Sequence, residues 1–121
     1  MVKSVILKTD NGQLVMGVLS AKDAANLDAL KEEIGCRVLR LASETEFRDA
    51  FPTCNLGAMP PFGNLYGLST LVDKHLAEQD YIVFEAGTHT DAIIMNYRDY
   101  EKIVNPKVED FSIKLHPMKG A

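Results

Sequence analysis

Val2-Lys3-Ser4-Val5-Ile6-Leu7-Lys8-Thr9-Asp10-Asn11-Gly12-Gln13-Leu14-Val15-Met16-Gly17-Val18-Leu19 opens the chain with two aliphatic, β-branched runs around an Asn-Gly pair. Such runs suit a pleated, half-buried surface, and Asn-Gly supplies the left-handed dihedrals of a tight reversal. The stretch reads as a β-hairpin with strands at 2–8 and 14–19. Outward from it, Leu27, Leu30 and Ile34 recur at helical spacing, with Asp23 or Asn26 as N-cap and Gly35 as a left-handed C-cap. A short strand is expected between Cys36 and Ala42, and Ser43-Glu44-Thr45-Glu46 is a capping box opening a helix to about Phe51. From Pro52 to Gly67, three prolines, three glycines and two asparagines predict a constrained loop. Strands follow at 68–72, 81–84 and 92–96, with a short turn or helix over 73–78. A last helix starts near Arg98 and is ended by Asn105-Pro106. Strands and helices do not alternate regularly and no repeat is visible, so the class is α+β. The division is one domain over 1–104 and a polar C-terminal tail over 105–121.

The composition agrees with a single domain: 121 residues, 46% hydrophobic and 25% charged. A formal net charge of −4 argues against a protein held on nucleic acid or anionic membrane by bulk electrostatics. No apolar run nears the roughly 18 residues of a membrane span. The N-terminus lacks the pattern of a secretory signal, so a cytoplasmic location is expected. Cys36 and Cys54 have no C-x-x-C spacing and are expected as free thiols.

Chemistry concentrates in Gly57-Ala58-Met59-Pro60-Pro61-Phe62-Gly63. Two prolines stiffen the segment, and its glycines admit close backbone approach. Converging amides of Gly57, Ala58 and Met59 would stabilise an oxyanion; the plainer reading is a Pro-Pro connection that only turns the chain. His89, between Thr88 and Thr90 with Asp91 beyond, is a candidate base or ligand. His75 and His116 show no ligand spacing, so no metal or other cofactor is expected. A Cys54–His89 thiol pair is a remote alternative, as free cysteine is more often an inert small hydrophobe.

Lys3-Ser4-Val5-Ile6-Leu7, Ala42-Ser43-Glu44, Gly57 to Gly63, Val72-Asp73 and Ala86-Gly87-Thr88-His89 occur in the order in which the YbaK/ProX family carries its motifs. The chain resembles that family, free-standing relatives of the editing insertion of prolyl-tRNA synthetase, over about residues 2–104. The resemblance implies a mixed, mostly antiparallel, strongly curved sheet or partial barrel with three to four flanking helices. It implies metal-independent hydrolysis of misacylated aminoacyl-tRNA, with alanine or cysteine on the proline tRNA as the usual errors. In catalytic positions it places Lys3, Gly57 and, more weakly, His89. Around the substrate it places Ala58, Met59, Pro60, Pro61, Phe62, Gly63, Gly87 and Thr88. The partners implied are the tRNA acceptor end and prolyl-tRNA synthetase, with no DNA and no membrane.

Family members usually carry a segment before the lysine strand that walls the pocket, whereas here Lys3 stands third in the sequence. The expected reason is that upstream residues are missing from this chain; a non-catalytic binding module on the same fold is the alternative. The acidic balance predicts weak, salt-sensitive binding of free tRNA.

Overall fold

The computed structural model describes residues 1–55 and 57–115. The hairpin forms as β1 (Val2–Thr9) and β2 (Leu14–Ser20), paired antiparallel from Val2↔Ser20 to Lys8↔Leu14. Gly12 takes φ +87° in the turn. After β3 (Asp23–Ala25), α1 (Leu27–Ile34) starts where the Asn26 side chain accepts the Ala29 amide and stops at Gly35 with φ 82°. β4 (Leu39–Leu41) leads through Ser43 into α2 (Glu44–Phe47), whose capping box has both bonds in place. A 3₁₀ turn over Arg48–Ala50 continues α2, and a second spans Gly63–Tyr66. The chain goes on through β5 (Ser69–Asp73), α3 (Lys74–Ala77), β6 (Tyr81–Glu85), β7 (Ala92–Asn96) and α4 (Tyr97–Val104). It ends in β8 (Lys107–Glu109) and β9 (Ser112–Lys114).

The main sheet runs β4-β1-β2-β5-β8, beside two-stranded sheets β3-β9 and β6-β7. The ladders β1/β2, β1/β4, β3/β9 and β6/β7 are antiparallel; β2/β5 and β5/β8 are parallel. The α+β class, the antiparallel majority and the flanking helices are as expected. The expected strong curl or barrel is not found: the five-stranded sheet is open, with β4 and β8 as its edges.

Side-chain alternation along β1 and β2 divides the interior in two. On one face Val2, Ile6, Met16 and Val18 join Phe51, Met59, Val72, Phe84, Tyr97 and Tyr100. On the other, Leu7, Val15 and Leu19 join Leu30, Leu39, Leu71 and Phe111. Phe111 lies in the segment expected to be a tail, which is a correction: it is 1% exposed, and β8 and β9 complete two sheets. Scattered apolar residues in a polar stretch gave no periodicity, yet one buried ring and two three-residue ladders hold it. Residues 116–121, with His116, lie outside the described residues. No helix among the described residues is long and apolar enough to cross a membrane.

Candidate active site

The loop from Gly57 to Gly63 is held by its carbonyl oxygens. The Gly87 amide donates to the Ala58 oxygen at 2.9 Å, and the Ser4 hydroxyl donates to the Met59 oxygen at 3.1 Å. The buried Tyr100 hydroxyl donates to the Pro61 oxygen. The Phe62 ring stacks edge-on against Phe84 and Tyr100, with centroids 5.4 and 5.2 Å away. Burial first, and the neighbouring Tyr97 second, push the Tyr100 phenol well above its ordinary pKa, so it stays a neutral donor at physiological pH.

A trans peptide points its carbonyl and the next N–H in opposite directions. Because the Ala58 oxygen faces Gly87, the Met59 N–H is aimed away from it. The Met59 and Gly57 amides donate to no other residue among those described. The Ala58 amide, expected as a third oxyanion donor, is instead spent on the Asn55 oxygen at 3.0 Å, closing a turn. Asn55 in turn donates to the Gly87 oxygen at 2.7 Å, so the two glycine loops clasp each other.

Gly57 is exposed with φ +81°, a conformation that costs a non-glycine residue about 1–2 kcal/mol. A Cβ on it would lie 3.6 Å from His89 Cε1. The structure thus brings Gly57 and His89 together although they are far apart in sequence. His89 Nδ1 is 2.7 Å from Glu85 Oε2. An ionised carboxylate only accepts, so Nδ1 is the donor in this contact. Thr88 donates to Asp91 within the same β6–β7 connection, and Gly87 is buried at φ +96°.

Other expected positions fall differently. Lys3 leaves β1 on the face of Val5 and Leu7, opposite the face from which Ser4 reaches the loop, because neighbouring strand residues point to opposite sides. Among the described residues it makes no hydrogen bond or ion pair. Ala58, Met59, Pro61 and Gly63, expected around the substrate, are buried inward. Gly63 is needed for space, as a Cβ there would collide with Thr70 Oγ1 and stand 2.9 Å from the Leu68 oxygen. Pro60 and Phe62 do open on a cavity of about 250 Å³, together with Leu65, Phe84, Ala86, Ile93 and Met95. Three larger cavities are lined by none of the residues from Gly57 to Gly63. Cys54 approaches the Tyr66 hydroxyl at 3.4 Å, and Tyr66 is pushed up to about 12 by burial and then by that contact. Both thiols are free. Sequence reading missed Ser4, Glu85 and Tyr100 as supports; Glu85, four residues before His89, was the one readable hint.

Residues 1–103 match the model of the aminoacyl-tRNA editing domain. The chain is 35% identical over 100 residues to the multifunctional Ser/Thr-tRNA deacylase ProXp-y of Escherichia coli K12, and equally to that of strain O157:H7. The match covers 82% of this chain and 59% of the relative, so the chain spans well under two thirds of the curated proteins it resembles. Among solved structures, a candidate trans-editing enzyme for prolyl-tRNA synthetase superposes with a TM-score of 0.81 at 21% identity, over 93% of this chain and 69% of that one. A candidate signal-transduction protein of Marinobacter aquaeolei VT8 gives 0.81 at 24% identity, over 93% of this chain and 25% of that one. At those identities the likeness concerns the fold, whereas the domain match spans most of the sequence. The chain belongs to the aminoacyl-tRNA editing domain family.

Proposed function

We propose that the protein is an aminoacyl-tRNA deacylase that hydrolyses the ester between a small, wrongly attached amino acid and the tRNA 3′ end. What carries the reading is the meeting of Gly57 with His89 beside a Met59 amide turned away from Gly87. The His89 imidazole takes a proton from water as the water oxygen bonds to the acyl carbon. The carbonyl oxygen becomes an oxyanion that the Met59 and Gly57 amides receive. The ester C–O bond then breaks, the ribose oxygen takes the proton back from His89, and free amino acid and tRNA leave. Glu85 is the positioning residue that fixes the ring's tautomer. Lys3 enters through the family resemblance alone, as an ammonium without an ion partner among the described residues, suited to a backbone phosphate.

The cavity beside Pro60 is walled by apolar side chains, which suits alanine or cysteine on the proline tRNA. The relatives are named for serine and threonine, and an apolar wall discriminates against an added hydroxyl by only about 100-fold. The test measures deacylation of alanyl-, cysteinyl-, seryl- and threonyl-tRNA by the wild type, His89→Ala and Glu85→Gln. Expected are faster rates for alanine and cysteine, a loss of about 100-fold for His89→Ala and a smaller loss for Glu85→Gln. Hydrolysis of none of the four would leave a binding module; unchanged rates in His89→Ala would remove the base. Binding of free tRNA should be weak and weaken further with salt, with prolyl-tRNA synthetase as the partner that supplies the missing grip.

A further inference from the structure

We infer a divalent-cation site of the zinc class at the corner where β5 enters α3, separate from the loop and independent of the proposed reaction. Asp73 Oδ2, His75 Nδ1 and Asp110 Oδ1 come from β5, α3 and the β8–β9 link, and one ligand atom of each lies within 4.8 Å of the others. His75 Nδ1 is 3.3 Å from Asp73 Oδ2 and 3.9 Å from Asp110 Oδ1. Zinc bonds of about 2.0–2.2 Å at a tetrahedral angle put neighbouring ligand atoms about 3.4 Å apart, so the Asp73–His75 edge already has the right length. Closing the Asp110 edge takes a small rotation of an exposed side chain.

Asp73 is prepared for the task. Its Oδ1 accepts the Phe111 and Ser112 amides, both at 2.9 Å, and its Oδ2 accepts the His75 amide at 3.1 Å. Such outer bonds orient a ligating carboxylate and leave Oδ2 a lone pair. Ser112 Oγ lies 3.3 Å from His75 Nδ1 and is the ring's present alternative partner.

A second observation points to a cation. Asp23 is only 7% exposed, yet its carboxylate has no hydrogen bond or ion pair among the described residues. It lines the same cavity of about 370 Å³ as Asp73 and His75. Its oxygens are left to the cavity, where a positive charge would give this carboxylate the partner it lacks among the described residues. Lys114 faces Asp23 across the β3–β9 ladder without pairing to it. Neutral His75 with the Asp73 and Asp110 carboxylates balances one divalent charge, and Asp23 holds a metal-bound water in the remaining position. The ion would tie β3, β5 and the β8–β9 link together.

The test titrates zinc chloride, and separately cobalt(II), into chelator-washed full-length protein at pH 7.5, followed by calorimetry, melting midpoint and cobalt visible absorption. Expected are one equivalent bound, a higher melting midpoint and the intense absorption of tetrahedral cobalt. Asp110→Asn and His75→Gln change exposed side chains, and each should weaken binding at least tenfold while the apo protein melts normally. Absence of saturable binding overturns the inference, as does binding that both variants keep or that thiol alkylation abolishes.

Discussion

The loop at Gly57–Gly63 and the corner at Asp73 are both secured by groups distant in sequence, but opposite halves of the peptide are tied down. In the loop, Gly87, Ser4 and Tyr100 donate to three carbonyl oxygens, and the Met59 amide is left pointing the other way. At the corner, one carboxylate collects the amides of His75, Phe111 and Ser112, and negative charge gathers there. In the loop the backbone group left over is the donor that the proposed reaction would use on an oxyanion. At the corner the held amides instead orient a side-chain carboxylate, and it is side chains that the inferred site would offer to a cation.

The sharpest break of this contrast is Gly57→Ala. At φ +81° the new side chain strains the backbone and turns the amide, while its methyl carbon meets His89 at an ordinary contact distance of 3.6 Å. Deacylation should fall by roughly 100- to 1,000-fold, as when one oxyanion donor is lost, while the melting midpoint drops modestly. Single-turnover rates beside a melting curve check this, and an unchanged rate removes the loop from the mechanism. The matching break at the corner is Asp73→Ala. Three amides lose their acceptor, and stability should fall by about 2–3 kcal/mol in denaturant titration, with Phe111 becoming accessible.

Ser4→Ala sharpens the comparison. Loss of the bond to the Met59 oxygen should cost about 1 kcal/mol and lower the rate several-fold, without the collapse expected at the corner. The smallest effect belongs to Glu46, which lies outside both regions. The Arg40 guanidinium first, then the Lys8 ammonium and the Ser43 amide, hold its carboxyl far below the usual carboxylate range. A lowered pKa stabilises the fold above the unfolded value of about 4.3 and loses that contribution as pH falls. Glu46→Gln should therefore melt slightly below the wild type at pH 7, with the gap narrowing below about pH 4.

Elements whose ends are written in local chemistry were readable in the sequence. Asn26 and Gly35 bound α1, Ser43 with Glu46 opens α2, and Asn105 ends α4, because a cap bonds within a few residues of itself; the Asn96 cap, read as strand, was passed over. The prolines and glycines of 52–67 announced an irregular segment for the same reason. What escaped depended on partners far along the chain. Nothing near Phe111 tells that Asp73 will accept its amide, so β8 and β9 read as tail. Nothing near His75 tells that Asp110 lies 3.9 Å away, so the histidine showed no ligand spacing.

Lys3 and Ser4 mark the division most clearly. The sequence by itself determined that both lie on a strand, and that the chain carries the ordered motifs of an editing domain, since propensity, capping and motif order are properties of neighbouring residues. Only the tertiary structure decided that Ser4 faces the loop while Lys3 faces the opposite side, and that His89 comes to rest over Gly57. Alternation tells which residues share a face of a strand, but which face meets the loop is settled only when the sheet packs on the rest of the chain.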